Sequence, residues 1–217
     1  MRTLLLLAVI GLCPAAEVLL NGTFEQADSE ESRRPLGWEL PDGLGVRWLT
    51  SPDTAHGKVI AMDTRQSERD MDAQWKRMGI TRFAIPEAAK NPIAETYGLS
   101  LYSVPFPCIP GQAYRLRWSF AGPAGGVKVW VRGYRDAVNG KRSYEAVSEG
   151  SARPGPEVHG WRTAEHCFHP TAHTPQVTVL RVMLYAFYPA KDYAFDDVHL
   201  EPITPAEYAA YKASDGK

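Results

Sequence analysis

The sequence lacks several features that would place it in a specialised class of protein. Its 24 lysines and arginines nearly balance 25 aspartates and glutamates, and the net charge of −1 argues against nucleic-acid binding driven by bulk charge. No period indicates a repeat array, and no segment is of low complexity. No apolar run reaches the length of about 20 residues that a membrane-spanning helix needs.

What the chain does contain is a large share of turn-forming residues. Its 217 residues include 18 glycines and 17 prolines, spread along the sequence between short apolar runs. This distribution is typical of many short strands joined by turns. The length also allows a single domain to bury a sizeable core, so no second domain is needed.

The first 16 residues have the pattern of a secretory signal peptide. Arg2 supplies the positive start, residues 4–12 the apolar run, and residues 14–16 (Pro-Ala-Ala) a small-residue exit. The sequence therefore predicts a secreted or periplasmic protein in which residues 17–217 form one domain.

Cys13 permits a second interpretation of this leader. It is either an incidental residue of the signal peptide or the lipidated cysteine of a degraded lipoprotein box. Leu12 is a poor residue immediately before a lipidated cysteine, so we prefer soluble export.

Cleavage at this point leaves two cysteines, Cys108 and Cys167. An even number of cysteines in an oxidising compartment favours a disulfide, and the predicted bridge closes a loop of about 60 residues, worth up to roughly 4 kcal/mol. The alternative is a pair of buried thiols.

Several segments alternate apolar and polar residues with the period of two that indicates a half-buried strand. Residues 113–120 place Tyr114, Leu116, Trp118 and Phe120 on one side. Together with the turn signals between such segments, this pattern predicts an all-β protein built as an antiparallel two-sheet sandwich. Thr204 and Pro205 then predict the start of a short C-terminal helix.

Motifs at the two ends of the mature chain resemble those of carbohydrate-binding modules of families four and nine. Residues 21–25 read Asn-Gly-Thr-Phe-Glu, and residues 195–200 read Phe-Asp-Asp-Val-His-Leu. Residues 109–114 are similar to the Pro-Gly-x-x-Tyr turn of these modules, and Trp38 stands in a Pro-x-Gly-Trp pattern. The resemblance implies a galactose-binding-like jelly roll with adjacent end strands and a core position for Trp38.

The same resemblance implies a structural calcium ion between the two ends. Carried over by position, its ligands are the carbonyls of Thr23 and Lys58 and the carboxylates of Glu25 and Asp196, all hard oxygens of the kind that calcium prefers. Alternation over residues 194–200 aims Asp196 inward, where a carboxylate needs a cation or several donors. The alternative is that Glu25 and Asp196 cap turns or pair with arginines.

Residues 127–134 are the most informative for function. Valines occupy one side of this predicted strand, while Lys128, Trp130, Arg132 and Tyr134 share the other. Flat aromatic rings between hydrogen-bond donors suit a sugar, whose C–H face packs on a ring while its hydroxyls bond polar groups. The alternative is that the aromatic side chains lie beneath a loop.

Residues 176–188 predict a second long strand with an open face carrying Arg181 and Tyr185. The resemblance makes this strand a neighbour of residues 127–134, so the two open faces would form one shallow cleft. The predicted ligand-binding residues are Lys128, Trp130, Arg132, Tyr134, Arg181 and Tyr185.

Two further segments carry weaker signals. Residues 66–97 match little of the resembled family, and within them residues 75–77 (Trp-Lys-Arg) are interpreted as a strand. The spacing of His166, Cys167, His169 and His173 fits no strong zinc signature, and a strand would alternate them between faces. They are interpreted as solvated or core residues and not as zinc ligands.

Three functions remain open from the sequence. The preferred one is a non-catalytic, secreted module that binds a polysaccharide or oligosaccharide, with calcium as a structural ion. The second is a jelly-roll polysaccharide lyase or glycosidase, although no carboxylate pair of the kind that glycosidases use stands on an open face. The third is a surface or adhesion module that recognises protein.

Overall fold

The computed structural model describes residues 18–80, 85, 87–123, 126–135 and 160–215. The predicted signal peptide and Cys13 lie outside these residues. The described chain contains nine strands and two α-helices, and neither helix has the length and apolar character needed to cross a membrane. The strands are β1 (Val46–Thr50), β2 (Lys58–Asp63), β3 (Leu99–Tyr102), β4 (Phe106–Pro107), β5 (Ala113–Ala121), β6 (Val127–Tyr134), β7 (Trp161–Phe168), β8 (Val179–Ala186) and β9 (Asp192–Ile203), and the helices are α1 (Glu68–Arg77) and α2 (Pro205–Asp215).

The strands form two antiparallel sheets that pack face to face. The first has the order β1-β2-β9-β5-β7. In the second, β6 pairs with the whole length of β8, while β3 and β4 pair in succession with its other edge. The predicted antiparallel sandwich is therefore confirmed.

The core fills the space between the sheets and follows the alternation of the sequence. Leu116, Trp118 and Phe120 of β5 are buried, as are the valines of β6 and the even-numbered residues of β8 from Leu180 to Ala186. Trp38 is 1% exposed and packs on Phe24 at a centroid distance of 5.0 Å, which confirms its predicted core position.

The two ends of the described chain lie side by side, as the resemblance implied. The backbone N–H of Val18 donates to the Leu200 carbonyl (2.8 Å), and that of Val198 donates to the Gly22 carbonyl (3.0 Å). A Cβ atom on Gly22 would lie 1.7 Å from the carbonyl oxygen of Val198. The close approach of the two segments therefore depends on a glycine at this position.

A β-bulge in β9 corrects the predicted orientation of Asp196. The register against β5 shifts between Arg117 and Ser119, and Asp197 has a φ of 50°. Tyr193 and Phe195 face the core before this point, and the alternation resumes one residue later with Val198 and Leu200. Because a bulge inserts an extra residue, Asp196 lies beside Ser119 on the face turned away from the core.

The predicted strand at residues 75–77 is wrong, because these residues belong to the last turns of α1. Ser67 caps this helix by accepting a hydrogen bond from the Asp70 N–H (3.1 Å). Met71 and Trp75, four residues apart on one side of the helix, are buried in the main core. The helix therefore packs its Met71 and Trp75 side onto the main core.

The predicted disulfide is also wrong, since Cys108 and Cys167 are free, buried thiols. Cys108 belongs to the main core. Cys167 alternates with the core residue Phe168 on β7, and it packs in a separate cluster beneath Tyr208 and Tyr211 of α2. The sheet thus separates the two side chains.

Candidate functional site

The outward faces of β6 and β8 meet in one surface, which we call the aromatic face. The register of β6 against β8 pairs Trp130 with Met183, Lys128 with Tyr185, and Arg132 with Arg181. The structure thus brings five of the six predicted ligand-binding residues onto neighbouring positions, and Tyr134 follows at the end of β6, paired with Val179. The adjacency of the two strands, which only the resemblance implied, is confirmed.

Three aromatic rings form a row on this face. Trp130 stacks on Tyr185 with ring centroids 5.6 Å apart, and Tyr185 stacks on Phe187 at 5.4 Å. The planes are within 22° of parallel in both pairs. Near-parallel, offset rings are a favourable arrangement for aromatic pairs. The contacts between the three rings therefore help to fix their orientation.

Cationic groups flank this row of rings. The Lys128 ammonium lies 5.6 Å from the ring centroids of both Trp130 and Phe187. The Arg132 guanidinium lies 4.7 Å from the Trp130 ring, and Arg132 is only 8% exposed. These distances are within cation–π range, and the burial of Arg132 makes it a support for Trp130 more than an open contact.

Arg181 is fixed at the edge of the aromatic face. Its guanidinium forms an ion pair with Glu39 at 2.7 Å, donates to the Ser103 carbonyl at 2.8 Å, and lies over the Tyr102 ring. The segment that contains Glu39 joins this sheet, because the Glu39 N–H donates to the Tyr102 carbonyl. The charge of Arg181 is therefore largely satisfied within the protein.

The hydroxyl of Tyr185 is also engaged, since it donates to the Tyr97 carbonyl at 3.0 Å. Burial raises the pKa of Tyr185, because desolvation disfavours the phenolate. A group that stays protonated at neutral pH is a poor general base. The engaged hydroxyl and its raised pKa therefore disfavour Tyr185 in proton abstraction.

The residues predicted to hold calcium lie near the paired ends of the chain: Lys58 begins β2 and Asp196 belongs to β9, whereas Thr23 and Glu25 stand in the N-terminal segment before the first strand. Glu25 Oε1 accepts a hydrogen bond from the Lys58 N–H at 2.7 Å, and its carboxylate occupies the space that a side chain on Gly57 would fill. His56 Nδ1 lies 2.9 Å from Asp196 Oδ2, a hydrogen-bond contact whose donor depends on the tautomer of the imidazole, and the Asp197 N–H donates to Asp196 Oδ1 at 2.8 Å.

This arrangement fits a calcium ion only in part. Asp196 supplies a hard oxygen. Burial raises its pKa to about 6, although its hydrogen bonds with His56 and Asp197 act in the opposite direction. However, the carboxylates of Glu25 and Asp196 already accept hydrogen bonds from backbone N–H groups, and the imidazole of His56 contacts Asp196. The calcium ion stays a prediction.

His56 is the residue near this site that the sequence did not single out. It ends a one-turn helix, Thr54–His56, and its ring stacks on Trp161 with centroids 3.7 Å apart. Its Nδ1 lies 2.9 Å from Asp196 and 3.8 Å from Asp197. The sequence separates these residues by about 140 positions, so only the pairing of β2 with β9 brings them together.

Comparisons with known proteins yield matches in fold only. No protein-family model matches the chain, and no curated protein matches it in sequence. The enzymatically active domain of bacteriophage CBA120 tailspike protein 4 is similar, with a TM-score of 0.50 and 9% identity over 86% of this chain. This chain spans 21% of that protein's length.

Other similar structures are described as carbohydrate-binding modules. The CBM22-1 xylan-binding domain from Paenibacillus barcinonensis Xyn10C has a TM-score of 0.47 and 15% identity, over 88% of this chain and 97% of that one. TmCBM61, solved with β-1,4-galactotriose, has a TM-score of 0.45 and 13% identity, over 87% of this chain and all of that one. The two-sheet sandwich of this chain rests on its own strand pairing.

Proposed function

We propose that this protein is a non-catalytic, exported module that binds a polysaccharide or oligosaccharide on its aromatic face. The observation that carries the proposal is the row formed by Trp130 on β6, Tyr185 on the adjacent antiparallel strand β8, and Phe187 immediately after β8. A sugar ring presents an apolar C–H face, which packs on such rings. The jelly-roll fold agrees with this function but does not establish it.

The chemistry of the aromatic face supports binding over catalysis. The outward rows of the described strands β3, β6 and β8 contain no carboxylate, whereas glycoside hydrolysis uses a pair of them. A lyase would need a base, and the raised pKa of Tyr185 disfavours it in that role. The face therefore consists of rings and hydrogen-bond donors, and the Glu39 carboxylate at its edge is held in an ion pair with Arg181.

Trp130→Ala tests the proposal directly. Glycan-array screening of the native protein would first identify a bound sugar, and calorimetry would then measure its Kd. We expect Trp130→Ala to weaken binding at least tenfold, about 1.4 kcal/mol, because the central platform of the row is lost. Trp161→Ala is the matched control, since Trp161 lies on the outer face of the other sheet.

Circular dichroism and thermal melting of both variants separate binding from folding. Trp130 is half-buried at its position, so the variant should keep the strand spectrum of the native chain. Equal affinities for the native protein and folded Trp130→Ala would contradict the proposed site. A native protein that binds no glycan, but captures a protein partner through this face, would contradict the proposed ligand.

A further inference from the structure

A cluster of metal-ligating side chains lies far from the aromatic face, on the outer side of the five-stranded sheet. It consists of His56, Asp196 and Asp197, and we call it the His56 cluster. The β-bulge places Asp196 and Asp197 there, on consecutive positions of β9. The role proposed for the aromatic face does not involve these residues.

The spacing of the ligand atoms suits a small divalent cation. One ligand atom from each of the three residues lies within 4.8 Å of the other two. His56 Nδ1 is 2.9 Å from Asp196 Oδ2 and 3.8 Å from Asp197 Oδ2. Bonds of about 2.0–2.1 Å in a tetrahedral zinc site place neighbouring ligand atoms about 3.3 Å apart. The two measured separations lie on either side of that value.

Neighbouring residues orient the ligands of the cluster. Trp161 stacks on the His56 ring with the planes 21° apart, which fixes the direction of the imidazole. The Ser119 hydroxyl donates to Asp197 Oδ2 at 3.3 Å. Partners of this kind hold metal ligands in place and tune their basicity.

The cluster combines a buried and an open side. Asp196 is 3% exposed, whereas the side chain of Asp197 is 45% exposed. The open side gives a cation a path of entry and leaves room for water as a further ligand. Three protein ligands with a water position is a common pattern for zinc.

We propose that the His56 cluster binds a borderline divalent cation of the Zn²⁺ class, through His56 Nδ1 and the carboxylates of Asp196 and Asp197. The imidazole decides the class of metal, because calcium takes oxygen ligands whereas imidazole suits zinc and its neighbours. The proposed zinc ligands include Asp196, which is also a predicted calcium ligand, but they do not include Glu25. Zinc and calcium would therefore compete for the Asp196 carboxylate.

The assignment is tested by calorimetric titration of the full mature chain with zinc chloride, after treatment with a chelator. A parallel titration with cobalt chloride gives a visible absorption band that reports the ligand geometry. We expect one zinc ion per chain and a raised melting temperature, because a ligand of the folded state stabilises it by mass action. His56→Gln and Asp197→Asn should each lower zinc affinity at least tenfold, and both should abolish the cobalt band.

Two matched controls exclude binding elsewhere. His173→Gln removes an exposed histidine, and Asp192→Asn removes an exposed carboxylate from the same strand as Asp196; both should bind zinc as the native chain does. Absence of zinc binding by the native chain would overturn the proposal, as would unchanged affinity in folded His56→Gln. Stabilisation by calcium without stabilisation by zinc would also overturn it, in favour of the oxygen ligands that include Glu25.

Discussion

Trp130 is held in place by rings and cations and not by a hydrogen bond. Its indole N–H is buried and has no acceptor among the described residues, whereas Tyr185 stacks on one side and Arg132 lies over the ring. These contacts position the indole ring without using its N–H.

Cys108 and Cys167 are free, buried thiols, and their burial should make them unreactive in the native protein. The thiolate is the reactive form of cysteine, and burial raises the pKa of Cys108 to about 11 and also raises that of Cys167. We expect the native protein to resist iodoacetamide at neutral pH. Denaturation without reductant should then expose both thiols to alkylation, which mass spectrometry counts.

Single cysteine variants distinguish two free thiols from a disulfide. Cys108→Ala and Cys167→Ala should each leave one alkylatable thiol in the denatured chain. If either single variant instead raises the number of reactive thiols relative to the native protein, the two cysteines are bonded to each other in solution, and the separation of their side chains by the sheet is wrong.

Helix α1 shows how an element forms where the sequence pattern is weak. Glu68 and Asp70 occupy its first turn, Lys76 and Arg77 its last, and this charge order complements the helix dipole. The Ser67 hydroxyl donates to the Asp70 carboxylate at 2.7 Å while its oxygen accepts the Asp70 N–H. These local signals start and stop the helix, and its buried face fixes it on the core.

Ser67→Ala should therefore destabilise the protein by about 1 kcal/mol, the usual cost of removing an N-cap. The free energy of unfolding from urea denaturation measures the effect. Ser29→Ala is the matched control, because Ser29 is an exposed loop residue. A loss no larger than that of the control would show that the cap contributes nothing to the stability of α1.

At the scale of the whole molecule, the sandwich is closed by contact between its two ends. Residues 18–22 lie along β9 and exchange backbone hydrogen bonds with Val198 and Leu200. Gly22 allows this approach, because any side chain there would collide with the Val198 carbonyl. The N-terminal segment is thus part of the packed structure.

Gly22→Ala is expected to cost several kcal/mol, since overpacking against backbone atoms forces the chain to move. Gly43→Ala is a useful comparison, because Gly43 has a φ of 75° and no atom within 4 Å of the added Cβ. Its cost should be limited to backbone strain, of order 1–3 kcal/mol. Thermal melting that ranks Gly43→Ala as the more damaging substitution would contradict the proposed closure.

The sequence by itself determined which side chains share a face. Side chains alternate along a strand, so the apolar rows of β5, β6 and β8 had to face the core, and Trp130 with Tyr185 had to face outward. This part of the fold and of the candidate site is local, and the structure agrees with it.

Only the tertiary structure decided which segments meet. The bulge at Asp197 reversed the orientation predicted for Asp196, because one extra residue shifts the alternation by a full face. The sheet between Cys108 and Cys167 prevented the predicted disulfide, and pairing of distant strands brought His56 to Asp196 and Asp197. Contacts between residues far apart in the chain depend on register and packing, which no short stretch of sequence specifies.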